Sequence, residues 1–240
     1  MGPTAWMHRR HALLLGLPLG WPGVARAAAV PLFVGDGSPV GPARRMLAWV
    51  SAQAALTWDI HPTPWLRAQR LTAAGQGVMF GLGRTPERER LLRFSLPVWV
   101  NHTWAVVREG EQHHVQRYAD LKSEWVCWAR GSSYGELFEQ AGLGRMRGVE
   151  SNDDDSAMRM AAAGRCRAAL VTFESDQPER TAAHPALQSL KERGLALVPT
   201  PMTPSPLHFA CGLQSPWGWV IDRLDPVLGR SRTELDRLRQ

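Results

Sequence analysis

Among the side chains able to act as bases, nucleophiles or metal ligands, His61, His102, His113, His114 and Ser132 are the natural candidates. General acid–base or nucleophilic chemistry needs such groups within hydrogen-bond reach of one another and of a substrate. No spacing in this chain joins them into a known constellation. His113 and His114 fall in the polar stretch REGEQHHVQR, which reads as a solvated turn, and a metal site would need further ligands that the sequence does not announce. Neither an enzyme, nor a cofactor, nor a metal is therefore expected. What the local sequence does position is a cation. Thr85-Pro86 is a helix-start signal, with a capping hydroxyl followed by a proline at the first helical position, so Arg88 falls in the first turn. A guanidinium offers parallel N–H donors that match the two oxygens of a carboxylate, which is the chemistry of binding. The alternative use of Arg88 is an exposed pairing with Glu87 or another neighbour. Arg84 and Arg90 read as solvated charges. A second anion-compatible feature is Gly131-Ser132-Ser133, which precedes a helical stretch and offers free N–H groups and hydroxyls. Ser133 also fits the capping role, in a box with Glu136.

The elements that must carry these residues alternate along the chain. AVPLFVGD, LTWDIHP and GVMFG read as strands, separated by GPARRMLAWVSAQAAL and WLRAQRLTAA at helical spacing. Thr63 and Pro64 are expected to open the second helix and Gly75 to end it. After Pro97 the pattern restarts with HTWAVVREG, SEWVCWAR, a helix ending at Gly142, a capped helix ending at Gly164, and the strand AALVTF. LALVPTP and LHFACGLQ are late strands, and helical stretches from about Pro216 and Thr233 close the chain. Strand alternating with helix indicates mainly parallel sheets covered by helices, here as two small α/β lobes.

The amino terminus reads as a secretory signal spanning residues 1–27. Arg9 and Arg10 precede an apolar run from Ala12 to about Ala25, and Ala25-Arg26-Ala27 is the small-residue cleavage pattern. The run is too short and too interrupted by proline and glycine for a spanning helix. Export by the Sec or the twin-arginine route stays open. The formal charge of +6 falls to +3 once this segment is removed, leaving 25 basic against 22 acidic residues over about 213 positions. The remaining arginines are interspersed with acids, as in RTPERERLLR, so nucleic acid is not an expected partner. Cys127, Cys166 and Cys211 form no C-x-x-C pair; they read as buried thiols, with one disulfide among them left open.

LRAQRLTAAGQGVMFGLGRTPERERLLRFSLPVWVNHTWAVVRE resembles the bacterial extracellular solute-binding proteins of family 3, the polar amino-acid receptors of ABC importers. The likeness rests on T-P-E-R followed by F-S-x-P, on DLKSEWVCWARGSSYGELF, and on AMRMAAAGRCRAALV, in that order, and covers nearly all of the mature chain. It implies a two-lobed periplasmic-binding-protein-like (type II) α/β fold, each lobe a mainly parallel sheet flanked by helices, with two hinge crossovers near Val100 to Thr103 and Pro204 to Leu207. Residues 28–101 plus 205–240 would form lobe 1 and residues 102–204 lobe 2. The implied function is capture of a small carboxylate-bearing ligand, an amino acid or related compound, in the periplasm, by a monomer that serves an ABC permease in the inner membrane. A stand-alone sensor or orphan receptor is the alternative, and a small dehydratase-like enzyme the more remote one.

By the same resemblance Arg88 occupies the position that grips the ligand's α-carboxylate, and Ser132 and Ser133 complete the clamp from the second lobe. Gly81 and Gly83 stand where many relatives place small or hydroxyl-bearing residues, so that backbone groups rather than hydroxyls would meet the ligand. Trp65 and Trp99 fall in stretches that border the cleft in relatives, although a packed tryptophan is the commoner use; Phe94 reads as core. Amino-acid receptors usually place an acid for the ammonium where this chain has Thr172. A hydroxyl does not neutralise a buried ammonium. Glu174, two residues on along the same strand face, or Asp36 in the first-lobe loop are the substitutes, and without either the expected ligand is a carboxylate lacking an amine. Gly77 and Arg167 replace aspartates common at the family's strand starts, which implies altered local pairing rather than altered specificity.

Overall fold

The computed structural model describes residues 29–35, 40–135 and 146–239. The expected signal segment, Asp36, and, from Glu136 on, the helix expected after the Ser133 cap and ending at Gly142 lie outside these residues.

The first half runs β1 (Val30–Gly35), α1 (Val40–Ala54), β2 (Trp58–Thr63), α2 (Trp65–Ala73), β3 (Val78–Gly83), α3 (Pro86–Glu89), β4 (Leu92–Phe94) and β5 (Trp99–Arg108). After it come β6 (Trp125–Ala129), β7 (Arg147–Ser151), α4 (Asp154–Ala162), β8 (Ala168–Phe173), α5 (Pro178–Ala182), β9 (Leu195–Leu197), β10 (Thr203–Gly212), α6 (Gly218–Arg230) and α7 (Arg232–Arg239). Strands follow the order β2-β1-β3-β10-β5-β8-β6-β7, with β4 added to β10 and β9 added to β5.

Two parallel units stand at either end of this path. β1 pairs in parallel with β2 and β3, and β6 in parallel with β7 and β8. The antiparallel strands β5 and β10 join them. They pair with each other from Trp99–Leu207 to Thr103–Thr203. Beyond that stretch they diverge: β10 continues against β3, and β5 against β8. Thr103 Oγ1 and Ser205 Oγ lie 2.8 Å apart, a buried bond between the two crossing strands.

Burial follows the same division. One core is drawn from positions 104–198 and includes Trp104, Met158 and Leu170. The others are drawn from positions 30–99 and 209–235. In α1 the buried positions are Ala43, Met46, Leu47, Val50 and Ala54, the one-sided stripe of a helix lying on a sheet. Strands alternating with helices thus give two α/β lobes, each with its own core, linked by two crossing strands.

Three local expectations need correction or completion. Helix α2 opens at Trp65 with Pro64 as its cap and no side-chain cap bond, because Thr63 is still paired with Gly35 in β2. Cys127 and Cys166 are bonded, with Cα atoms 5.8 Å apart, tying β6 to the segment that enters β8; Cys211 is a buried free thiol on β10. Arg167, where altered local pairing was expected, pairs with Glu111 at 2.7 Å, and Arg108 takes the other oxygen at 3.0 Å. Gly77 is held by close approach: a Cβ there would lie 2.7 Å from the Pro31 carbonyl.

Candidate functional site

Arg88 is aimed by a very short helix. Thr85 is extended and its Oγ1 accepts from the Arg88 backbone N–H at 3.3 Å, while Pro86 occupies the first helical position. The half-buried Arg88 side chain turns back towards the end of β3, where Nη1 donates to the Gly83 carbonyl at 2.6 Å. Nη2 donates to the Gly131 carbonyl, also at 2.6 Å. The first contact lies within one lobe and the second crosses to the other. Among the described residues Arg88 has no ion pair; its guanidinium is held by neutral carbonyls. Loss of water pushes Arg88 down from the usual arginine range to about 10, with Glu87 acting in the opposite direction, so the group stays cationic at neutral pH. Arg84, by contrast, is exposed and pairs with Glu89, and Arg90 is exposed.

Two further donors reach the same oxygen. Trp65 Nε1 and Gln69 Nε2 each donate to the Gly131 carbonyl at 2.8 Å. They lie four residues apart on α2, hence on one face of that helix. Trp65 therefore enters the site through its N–H edge rather than by stacking. Gln69 and the Gly131 carbonyl are the members of this cluster that the sequence reading did not include. The i, i+4 spacing of Trp65 and Gln69 was the signal for the former.

Ser133 closes over the other side. A Cβ placed on Gly83 would collide with Ser133 Oγ and lie 3.8 Å from Arg88 Nη1, so the two segments meet only because Gly83 has no side chain. Gly81 has φ +85° and open space around it, a conformation that favours glycine. Ser132 hydrogen-bonds its backbone N–H to Ala129 at 3.1 Å. Tyr134, buried in the second core, accepts at its hydroxyl from the Ala129 N–H at 3.1 Å and fixes the turn that carries Gly131.

The remaining candidates stand apart from this cluster. Thr172 lies opposite Thr103 in the β5–β8 register, beside the crossing strands, and joins none of the hydrogen bonds around Arg88. β8 ends at Phe173, so Glu174 lies past the strand instead of on its face as expected. Trp99 is 4% exposed and packs edge-on against Phe80, 5.6 Å between centroids, which is the packed use. Phe94 packs against the core formed by Phe33, Met79 and Leu82. Cavities of about 440 Å³ beside Ser151, Asn152 and Arg165, and of about 330 Å³ beside Phe33, His61 and Arg67, are not lined by Arg88. Among the described residues no group of three His, Cys, Asp or Glu side chains could hold a metal ion. No described helix is long and apolar enough to cross a membrane.

The fold that carries this cluster is shared with solved structures. A histidine kinase sensor domain with similarity to periplasmic binding proteins superposes with a TM-score of 0.69 at 16% identity, over 88% of this chain and 94% of that one. The GluR0 ligand-binding core in complex with L-glutamate gives 0.67 at 16%, over 89% and 97%. The substrate-binding protein of an amino acid ABC transporter gives 0.62 at 13%, over 88% and 97%.

The chain has a periplasmic-binding-protein-like fold. The sequence matches no family model and no curated protein. In periplasmic-binding-protein-like terms, α2, α3 and the end of β3 present one wall to the turn at Gly131, and β5 and β10 are the crossovers.

Proposed function

We propose that this chain is a non-catalytic receptor that captures a small carboxylate-bearing ligand between its two lobes, with Arg88 as the carboxylate anchor. The observation that carries the reading is the Arg88 guanidinium, partly desolvated yet, among the described residues, hydrogen-bonded only to the Gly83 and Gly131 carbonyls. A cation removed from water without an ion-pair contact is costly, and an anionic ligand relieves that cost. Lobe 1 comprises residues 28–101 and 205–240, and lobe 2 residues 102–204. Support comes from the separate cores and from the stretch over which β5 pairs with β10. Ser132, Ser133, Gly81 and Gly83 line the ligand from the two sides. An amino acid or a related acid is the class that the resemblance to family 3 receptors favours. With Thr172 beside the crossing strands and Glu174 past the strand end, acids without an ammonium belong in the same screen.

The receptor acts in the periplasm after removal of residues 1–27 and passes its ligand to an ABC permease. A stand-alone sensor is the second reading. It is favoured by the direct bonds across the lobes at Gly131 and by the sensor domain among the similar structures.

A thermal-shift screen of the mature protein against amino acids, dicarboxylates and aromatic acids tests the reading, since a receptor gains stability from its own ligand. One class of acid raises the melting temperature of the wild type but not of Arg88→Ala. A response that survives in that variant contradicts the assignment.

A further inference from the structure

Three donors meet on one acceptor at the Gly131 carbonyl: the Trp65 indole and the Gln69 amide at 2.8 Å, and the Arg88 guanidinium at 2.6 Å. All three belong to one lobe and the oxygen to the other. A peptide carbonyl has two lone pairs and a partial charge, whereas a carboxylate has two oxygens, about four lone-pair sites and a full charge. The trio therefore offers more donors, and more positive charge, than the oxygen it holds can accept. We propose that Trp65 and Gln69 complete with Arg88 a three-donor cradle for the two oxygens of the ligand's carboxylate. On this proposal the Gly131 carbonyl is an internal stand-in that the ligand must displace. The proposal rests on the carboxylate-receptor reading and adds to it two binding residues and a built-in competitor.

The surroundings support a built contact. Gly131 has φ +72°, and a Cβ there would collide with the Leu66 side chain and lie 3.2 Å from Gln69 Nε2, so this turn approaches α2 as only a glycine can. Tyr134 fixes the same turn from behind through the Ala129 N–H. Trp65 and Gln69 sit on a regular helix backed by the buried Ala68 and Thr72, so the donors keep their aim when Gly131 withdraws.

Charge decides the competition. A hydrogen bond to an ionised acceptor is roughly twice as strong as one between neutral groups. The neutral donors Trp65 and Gln69 therefore favour the ligand over the Gly131 carbonyl, and removal of Gln69 weakens ligand binding more than it weakens the latch. A Gln69 that served only to hold the lobes together would act in the opposite sense, because its loss would free the cradle and tighten binding.

The test uses the mature protein labelled with 5-fluorotryptophan, with the Trp65 resonance assigned through Trp65→Phe. Sodium acetate is the probe, and sodium chloride at equal ionic strength the control. The Trp65 resonance shifts saturably with acetate and not with chloride. Gln69→Leu weakens the apparent affinity about fivefold, and Gln69→Glu, which matches the shape but places a negative charge in the cradle, abolishes the response. Equal or tighter acetate binding by Gln69→Leu, or a Trp65 resonance indifferent to acetate in the wild type, overturns the proposal. Loss of acetate binding in Arg88→Gln alongside an unchanged Gln69→Leu removes the cradle but leaves the receptor reading in place. An unchanged Arg88→Gln removes both.

Discussion

Arg88 Nη2 donates to the carbonyl of Gly131 at 2.6 Å, a contact between residues 43 positions apart that bridges the two lobes. The same guanidinium holds Gly83 at the end of its own lobe's third strand. One side chain thus touches both lobes, and on the proposed reading a bound carboxylate alters both contacts at once.

The aim of Arg88 depends on Thr85. Its Oγ1 caps a helix of only four residues, too short to hold its shape through its own backbone bonds. Thr85→Ala is expected to cost about 1 kcal/mol of stability and to weaken carboxylate binding, whereas Thr85→Ser restores both. Urea unfolding and a ligand titration on the three proteins check this; a Thr85→Ala protein with wild-type affinity excludes the positioning role.

The Cys127–Cys166 bond closes a loop of 39 positions within the second lobe. Constraint of the unfolded chain by a loop of this size stabilises by about 3–4 kcal/mol. Cys127→Ala/Cys166→Ala is expected to unfold at lower urea by that amount, and a reductant is expected to destabilise the wild type but not the variant. Equal urea midpoints in reduced and oxidised wild-type protein exclude the bond.

Asp154 gives a pH dependence. Desolvation, with like-charge repulsion from Asp153 added, raises its carboxyl to about 6 in the folded chain, against about 3.9 in an unfolded one. Between those values the folded state holds the extra proton, so stability from this group is greatest at low pH and falls as pH rises through about 4 to 6. Asp154→Asn is expected to flatten that part of the stability profile and to raise stability at pH 7 by about 1–3 kcal/mol. A denaturant midpoint unchanged at pH 7 contradicts it.

The alternation of elements was legible where a helix carries a start signal, as Thr85-Pro86 does, or an apolar stripe, as the α1 positions from Ala43 to Ala54 do. Boundaries were less so: pairing with Gly35 keeps Thr63 in β2 and moves the cap of α2 to Pro64, and Glu174 falls past its strand. The cysteine pairing was not legible, since it depends on β6 lying beside β8 in space and not on the spacing of 39. The placement of Arg88 in a capped first turn was legible from Thr85-Pro86. The Gly131 carbonyl was not, because a backbone acceptor leaves no mark in a sequence and its donors lie 43 to 66 positions away.

The central claim is that Arg88 binds a carboxylate. Calorimetric titration of the wild type and of Arg88→Ala with the acid that most raises the melting temperature measures it directly. Truncating one partner of a buried charge pair costs about 2–5 kcal/mol, so the account predicts at least a thirtyfold loss of affinity in a variant that remains folded. An Arg88→Ala protein that binds the same acid as tightly as the wild type contradicts the account.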